Sequence, residues 1–311
     1  MIRFALAFAA LLIAASPSTA AEKLVVLLDW YVNPDHAPLV VAKEGGFFAR
    51  HGLDVELIAP ADPSQPPRLV AAKQGDVAVT YQPELHQQVA AGLPLVRFAT
   101  LIDTPLNTLI ALKDGPVKEL KDLKGKKIGY SVTGFEDTLL LAMMETAGLT
   151  RDDVELINVN FALTQSLMAK RVDAVVGGYR NFEATQIRLA GGEARVFFPE
   201  ENGVPTYDEL VFVAHKDAIG DDRLKRFVAA IEEATTFLLN HDAEAFALYL
   251  KGHPDLNDEL NTRAWADTRP RFAKNPGLLD ARRYERFAEF LKAKGMIKET
   301  PAVGTYAVDV R

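Results

Sequence analysis

The chain has 311 residues, a formal charge of −7, 49% hydrophobic and 25% charged residues, and no cysteine. Such a length and balance suit a globular protein of about two domains, and an acidic chain with no basic cluster longer than Lys124-Gly125-Lys126-Lys127 argues against nucleic acid as a partner. Without cysteine there is no zinc-thiolate site, iron-sulfur cluster, thiol nucleophile or disulfide framework.

Residues 1 to 20 read as a secretory signal peptide rather than as part of the fold. Arg3 gives a positive start, Phe4 to Ala15 is apolar, and Ser18-Thr19-Ala20 supplies small residues before a cut at Ala20-Ala21. The apolar run is short for a bilayer span, and no cysteine is present to carry a lipid anchor. A mature protein diffusing freely in a periplasm is expected.

Leu24 to Leu28 is a continuous Val- and Leu-rich run, the pattern of a strand buried on both faces. It ends in Asp29-Trp30-Tyr31-Val32-Asn33-Pro34-Asp35-His36, and a helix starts near His36. Strand, loop and helix make half of a βαβ unit. In open α/β sheets ligands bind beyond the carboxyl ends of strands, so this loop offers an indole, a phenol, an amide, carboxylates and an imidazole at such an end. Core packing for Trp30 and helix capping for Asp35 are the competing readings. Crowding of these groups on one loop favours a ligand site, with Trp30, Asn33 and His36 as its candidates.

After a Pro-rich loop, Asp76 to Tyr81 is a compact strand and Gln82 to Ala91 a helix with Pro83 in its first turn. Tyr81 and Glu84 are candidates at this strand end, whereas His86 reads as an exposed helical residue. Leu95 to Ile102 and Asn107 to Leu112 are further strands, followed by a polar segment. Ile128 to Tyr130 then runs into Ser131-Val132-Thr133-Gly134-Phe135-Glu136-Asp137, and Thr138 to Ala147 forms a helix ended by Gly148. That turn presents free backbone N–H groups, so Ser131, Thr133, Gly134 and Phe135 are candidates. Glu136 and Asp137 add negative charge there, which suits a neutral carbonyl better than a phosphate.

Asp173 to Gly178 is a strand followed by Tyr179-Arg180-Asn181-Phe182-Glu183. Its paired glycines allow close backbone approach, and Tyr179, Asn181 and Glu183 complete the candidate set. Leu210 to Ala214 is a strand suited to return to the first lobe, and from Asp222 onward the chain reads as amphipathic helices. Trp265 reads as core. The six histidines show no metal-ligand spacing, and neither a nucleophile elbow nor a phosphate-binding loop occurs. Aromatic and amide groups at strand ends in two α/β lobes suit a small, flat, polar ligand.

The ordered stretches "EGGFFARHGLDVEL", "LVAAKQGDVAVTY", "GLPL", "LKGKKIGYS" and "RVDAVVGG" resemble the two-lobed solute-binding proteins of ABC importers over nearly all of the mature chain. Within them, "LDWYVNPDHAPLVVAKEGGFF", "PADPSQPP" and "NHDAEAFALYLKGHPDLNDELN" look like the thiamine-pyrimidine-precursor (ThiY-like) branch, which is similar to the fungal thiamine pyrimidine synthases. The resemblance implies an α/β two-lobed periplasmic-binding-protein fold of type II with its cleft between the lobes. It also implies a 4-aminopyrimidine ligand, hydroxymethyl or N-formyl-aminomethyl substituted, delivered to a permease with its ATPase in the inner membrane. Trp30 matches the family's stacking aromatic, Asn33 and His36 its loop polar groups, Ser131 to Phe135 its βα turn, and Tyr179 and Glu183 its second-lobe loop.

The synthases use a lysine-held pyridoxal phosphate, with iron near a cysteine-rich run. Here Thr80-Tyr81 stands at the lysine and Thr206 to Leu210 over the cysteine run, so a monomeric carrier without cofactor or metal is expected rather than an enzyme. Lobe 1 is expected over residues 21–105 plus 208–311 and lobe 2 over 106–207, hinged near Leu106 and Leu210. The alternatives are a riboflavin, taurine or alkanesulfonate binder of the same fold, or a synthase.

Overall fold

The computed structural model describes residues 20–310, so the expected leader, Ala20 apart, lies outside the described residues. Among the described residues, ten strands form two five-stranded sheets. They are β1 (Glu22–Leu27), β2 (Leu53–Ile58), β3 (Val77–Thr80), β4 (Leu95–Ile102), β5 (Asn107–Leu112), β6 (Lys126–Tyr130), β7 (Val154–Asn158), β8 (Ala174–Tyr179), β9 (Ala194–Phe197) and β10 (Leu210–His215). The first sheet has the order β2-β1-β3-β10-β4 and the second β7-β6-β8-β5-β9. In each, three parallel strands carry βα crossovers, and one strand arriving from the other sheet inserts antiparallel beside them. Strands covered on both faces are predominantly apolar, and β4 and β5 are buried throughout, with Arg97, Thr100, Asn107 and Thr108 as buried polar exceptions.

The chain passes between the sheets twice, from β4 to β5 and from β9 to β10. Glu209 ties the two passages together, because its Oε2 accepts from the backbone N–H of Leu106 at 2.6 Å and of Asn107 at 2.9 Å.

Helices cover both sheets: α1 (Ala37–Glu44), α2 (Phe47–Arg50), α3 (Pro66–Ala71), α4 (Gln82–Ala90), α5 (Glu136–Thr146), α6 (Leu163–Met168), α7 (Glu183–Leu189), α8 (Asp222–Asn240), α9 (Asp242–Gly252), α10 (Glu259–Thr268) and α11 (Ala281–Ala293). Helix α8 starts where the Asp221 side chain accepts from Arg223 N–H. It buries Leu224, Phe227, Val228, Ile231, Ala234 and Leu238, one face of a 3.6-residue period. Phe227 lies flat on Phe48 of α2, ring centroids 5.4 Å apart, and a side chain of this kind contributes about 1.5–3 kcal/mol by burial.

Of the C-terminal helices, α8 and α9 pack on α1 and α11 on α4, and the tail is fastened by Arg97. Its fully buried guanidinium donates to the carbonyls of Leu278 at 2.6 Å and Val308 at 3.0 Å and to Thr100 Oγ1 at 2.7 Å. Thr100 in turn donates to Asp208, which pairs with Arg283 of α11. His86, expected on the surface, is 2% exposed because α11 and the tail cover α4. Gln82 Nε2 and Tyr306 OH each lie 3.2 Å from its ring nitrogens, and burial pushes its pKa down to about 3, so it is neutral. Trp265 is core as expected, 5% exposed with its indole N–H on Asp242 at 2.7 Å.

Candidate ligand-binding site

The carboxyl ends of β1, β3, β6 and β8 turn toward one cavity whose atom-free space, open solvent at its mouth included, is about 410 Å³. β1 delivers Asp29, Trp30, Asn33 and Asp35; β3 delivers Tyr81; β6 delivers Phe135 and Glu136; β8 delivers Gly177, Tyr179, Phe182 and Glu183. Asn107 joins them because β5 runs antiparallel to β8, which puts its first residue opposite Tyr179. Both sheets contribute, and aromatic rings meet across the junction. Tyr81 lies on Phe135 with centroids 4.5 Å apart and planes 15° apart, and Trp30 meets the edge of Phe161 at 4.6 Å.

The first loop is tied internally before it faces anything else. Asp29 Oδ1 accepts from His36 Nε2 at 2.9 Å and Oδ2 from Tyr81 OH at 3.0 Å. His36 Nδ1 lies 3.4 Å from the Asn33 nitrogen, and Asn33 Oδ1 accepts from Asp35 N–H at 2.8 Å. On the second sheet, Glu136 Oε2 takes Ser131 N–H at 2.6 Å and Glu183 Oε2 takes Tyr179 N–H at 2.8 Å. Only glycine fits at 177. Its φ is +98°, and a Cβ there would lie 2.2 Å from Glu136 Oε1. Gly177 N–H donates to Asn107 Oδ1 at 3.2 Å, leaving the amide nitrogen for the cavity.

Several lining atoms are buried without a partner: Trp30 Nε1, Asn107 Nδ2 and Tyr179 OH as donors, Asp35 Oδ2 as acceptor. Buried polar groups are almost always paired in folded proteins, so such a cluster in one cavity marks a place for a polar ligand. Its electrostatics narrow the class. The lining holds Asp29, Asp35, Glu136 and Glu183 and no lysine, arginine or histidine. Burial pushes Asp35 up to about 6, against the pull of His36, Asn181 and Thr268. It pushes Glu183 up to about 7 and Glu136 well above the usual carboxylate range. A phosphate or sulfonate entering here would meet acidic groups with no lining cation. An amine or amidine edge would meet acceptors.

Among the residues expected from sequence, Trp30, Asn33, Tyr81, Phe135, Tyr179 and Glu183 line this cavity. His36 is fully buried behind Asp29, and Ser131 sits below the floor, its N–H on Glu136 and its hydroxyl donating to the Asn160 carbonyl. Asn181 lies at the cavity edge bound to Asp35 and Thr268. Glu84, Thr133 and Gly134 lie elsewhere, on a separate groove with Arg68 and Met296. The helical turn after Tyr81 aims Glu84 back at Thr80, whose hydroxyl it accepts at 2.7 Å. Sequence reasoning did not select Asp29, Asp35, Asn107, Glu136, Gly177 or Phe182. The two aspartates and Glu136 stood in turns already singled out, whereas nothing local distinguishes Asn107.

Comparison with known proteins places this geometry in a family. A protein of Haemophilus influenzae named for thiamine biosynthesis is 51% identical over 295 residues, 94% of each chain. The formylaminopyrimidine-binding protein of Halalkalibacterium halodurans is 34% identical over 248 residues, 79% of this chain and 75% of its own. Relatives at 24% identity include a 4-amino-5-hydroxymethyl-2-methylpyrimidine phosphate synthase of Legionella pneumophila. The alkanesulfonate-binding protein of Xanthomonas axonopodis pv. citri, bound to MOPS, shares the fold with a TM-score of 0.71 at 16% identity, covering 94% of this chain and 99% of its own. The NMT1/THI5-like family model matches residues 33–245, and the chain belongs to that family.

Proposed function

We propose that this protein is the periplasmic solute-binding component of an ABC importer, and that its ligand is a 4-aminopyrimidine precursor of thiamine with a hydroxymethyl or formylaminomethyl arm. The observation that carries the reading is the cavity wall: aromatic faces, four acidic side chains without a lining cation, and unpartnered N–H and O–H groups. A flat ring with an exocyclic amine satisfies all three, since its faces contact aromatic rings, its amine donates to carboxylates, and its ring nitrogens and arm oxygen accept from Trp30, Asn107 and Tyr179. The named ligand of the 34% identical relative belongs to this class.

In this reading, residues 21–105 and 208–311 make one lobe and 106–207 the other, closing about the passages near Leu106 and Leu210. Release to a permease driven by an ATPase follows from the importer role, with residues 1–20 as the export leader. The same wall disfavours a sulfonate, so likeness to the alkanesulfonate binder extends to the fold alone.

Synthase activity is the other reading. Pyridoxal phosphate would need a lysine for its imine and a cradle for its phosphate, and neither fits a lining that is acidic and free of lysine. Among the described residues, no group of three or more His, Cys, Asp or Glu side chains is placed to hold iron. Mass spectrometry of small molecules released from protein purified from the periplasm tests the proposal. An aminopyrimidine is expected; a yellow protein releasing pyridoxal phosphate would refute it.

A further inference from the structure

The two carboxylate oxygens of Asp35, a residue 1% exposed, face different partners. Oδ1 accepts from Asn181 Nδ2 at 2.6 Å and lies 3.0 Å from Thr268 Oγ1. Asn181 Nδ2 also donates to Thr268 Oγ1 at 2.6 Å, and Thr268 donates to the Ala264 carbonyl within α10. Asp35 and Thr268 come from segments associated with the first sheet, Asn181 from the loop leaving β8 of the second. The contact is therefore a latch between the two halves. Oδ2 is on the cavity wall, buried and without a partner. The loop that carries Asn181 is flanked by Tyr179 at the end of β8 and Glu183 at the start of α7, so the latch is contiguous in the chain with the cavity wall.

We propose that Asp35 makes closure of the two lobes depend on ligand, Oδ1 holding the second lobe through Asn181 while Oδ2 receives a hydrogen from a ligand N–H. The inference rests on the reading of the ligand as an amine-bearing ring. Closing over an empty cavity takes Oδ2 out of water and gives it nothing in return, a cost that disfavours the closed state. A ligand N–H removes that cost in the same movement that forms the Asn181 bond. A ligand with a carbonyl at this place sets lone pair against lone pair and opposes closure as well as contact. Burial holds the Asp35 carboxyl only at about 6, so it is mainly ionised at neutral pH and acts as an acceptor on both sides. Ligand recognition and lobe position thus share one carboxylate, and the equilibrium shifts by the difference in its satisfaction between open and closed states.

The absence of native cysteine allows unique spin labels at Asp54→Cys on β2 and Glu155→Cys on β7, exposed edge strands of the two sheets. Electron-resonance distance distributions are then compared with and without 4-amino-5-(formylaminomethyl)-2-methylpyrimidine. In the otherwise unaltered protein, the ligand is expected to shift the distribution to the closed distance. Asp35→Asn keeps a carbonyl oxygen for Asn181 but removes the buried charge, so without ligand it should be more closed than the parent, and its Kd should rise about tenfold or more. Asn181→Ala leaves Oδ2 in place but cuts the latch, so it should stay open at saturating ligand with a Kd raised about tenfold. Should Asn181→Ala fail to fold in a thermal melt, Thr268→Val removes the second latch partner and takes its place, with the open outcome expected.

A ligand-free Asp35→Asn distribution identical to the parent's, or Asn181→Ala closing as the parent does, overturns the inference. If the aminopyrimidine closes nothing while ligand-free Asp35→Asn is more closed than both the parent and Asn181→Ala, the ligand reading fails and the latch stands.

Discussion

Trp30 shows how one residue serves two masters. Its ring packs on Phe161 at 4.6 Å, yet its indole N–H is buried without a partner at the cavity wall. Trp30→Ala is expected to weaken aminopyrimidine binding by about 1–3 kcal/mol, the range for an aromatic against a nucleobase. Calorimetry paired with a thermal melt separates this from a purely structural role, which would lower the melting temperature and leave the affinity of folded protein intact. Glu183 is a further lining carboxyl, beside Asp35, that can accept one of the amine's two hydrogens. Glu183→Gln replaces one acceptor oxygen by a donor and is expected to relax discrimination between the 4-amino and 4-oxo rings; titrations that return unchanged selectivity would move that role to another lining carboxylate. Trp30, Tyr179 and Glu183 were legible in the sequence as lining residues because they stand at or within four residues of the carboxyl ends of hydrophobic strands. Asp35 was legible only as a loop carboxylate or cap, since its partner Asn181 is 146 residues away, and the cap was real but came from Asn33.

At the scale of elements, the strands were readable because burial on both faces leaves mostly apolar runs; Leu95–Ile102 and Asn107–Leu112 match their expected bounds even though they carry Arg97, Thr100, Asn107 and Thr108. What could not be read was which face of α4 is covered. An isolated helix bearing Gln82, Glu84, His86 and Gln88 looks solvent-facing, but all four side chains are buried: His86 against Tyr284 and Phe287 of α11 and Tyr306 of the tail, Gln82 against Asp208, and Glu84 between Thr80 and Gln88. Glu84 carries a measurable consequence. Burial raises its pKa from 4.5 to about 7, partly offset by the Thr80 hydroxyl and Arg68. Because the folded value lies above the unfolded one, the folded state binds more protons in that window. Stability is therefore fully present below about pH 4.5 and declines as pH rises toward about 7. Glu84→Gln should flatten this decline, on the order of 3 kcal/mol at most, in urea melts taken across the window. A slope identical to that of the parent would show that Glu84 titrates as an ordinary carboxylate.

For the whole molecule, two sheets of matching strand order face each other across one cavity, and each lends its strand ends to the wall. The sequence carried this architecture only through the order of its motifs, because the pairing of β10 with β3 and β4, and of β5 with β8, joins segments far apart in the chain. The cavity's acidic wall was equally hidden, since Asp29, Asp35, Glu136 and Glu183 come from turns that meet only in the fold. That wall, without a lining cation, is the centre of the functional claim. Isothermal titration of ligand-free protein with the formylaminomethyl aminopyrimidine, its hydroxymethyl analogue, the phosphate ester of that analogue, and taurine tests it most directly. The account predicts saturable one-to-one binding of the two uncharged pyrimidines and no detectable binding of the phosphate ester or taurine. Tighter binding of the phosphate ester or of taurine than of either uncharged pyrimidine would contradict it.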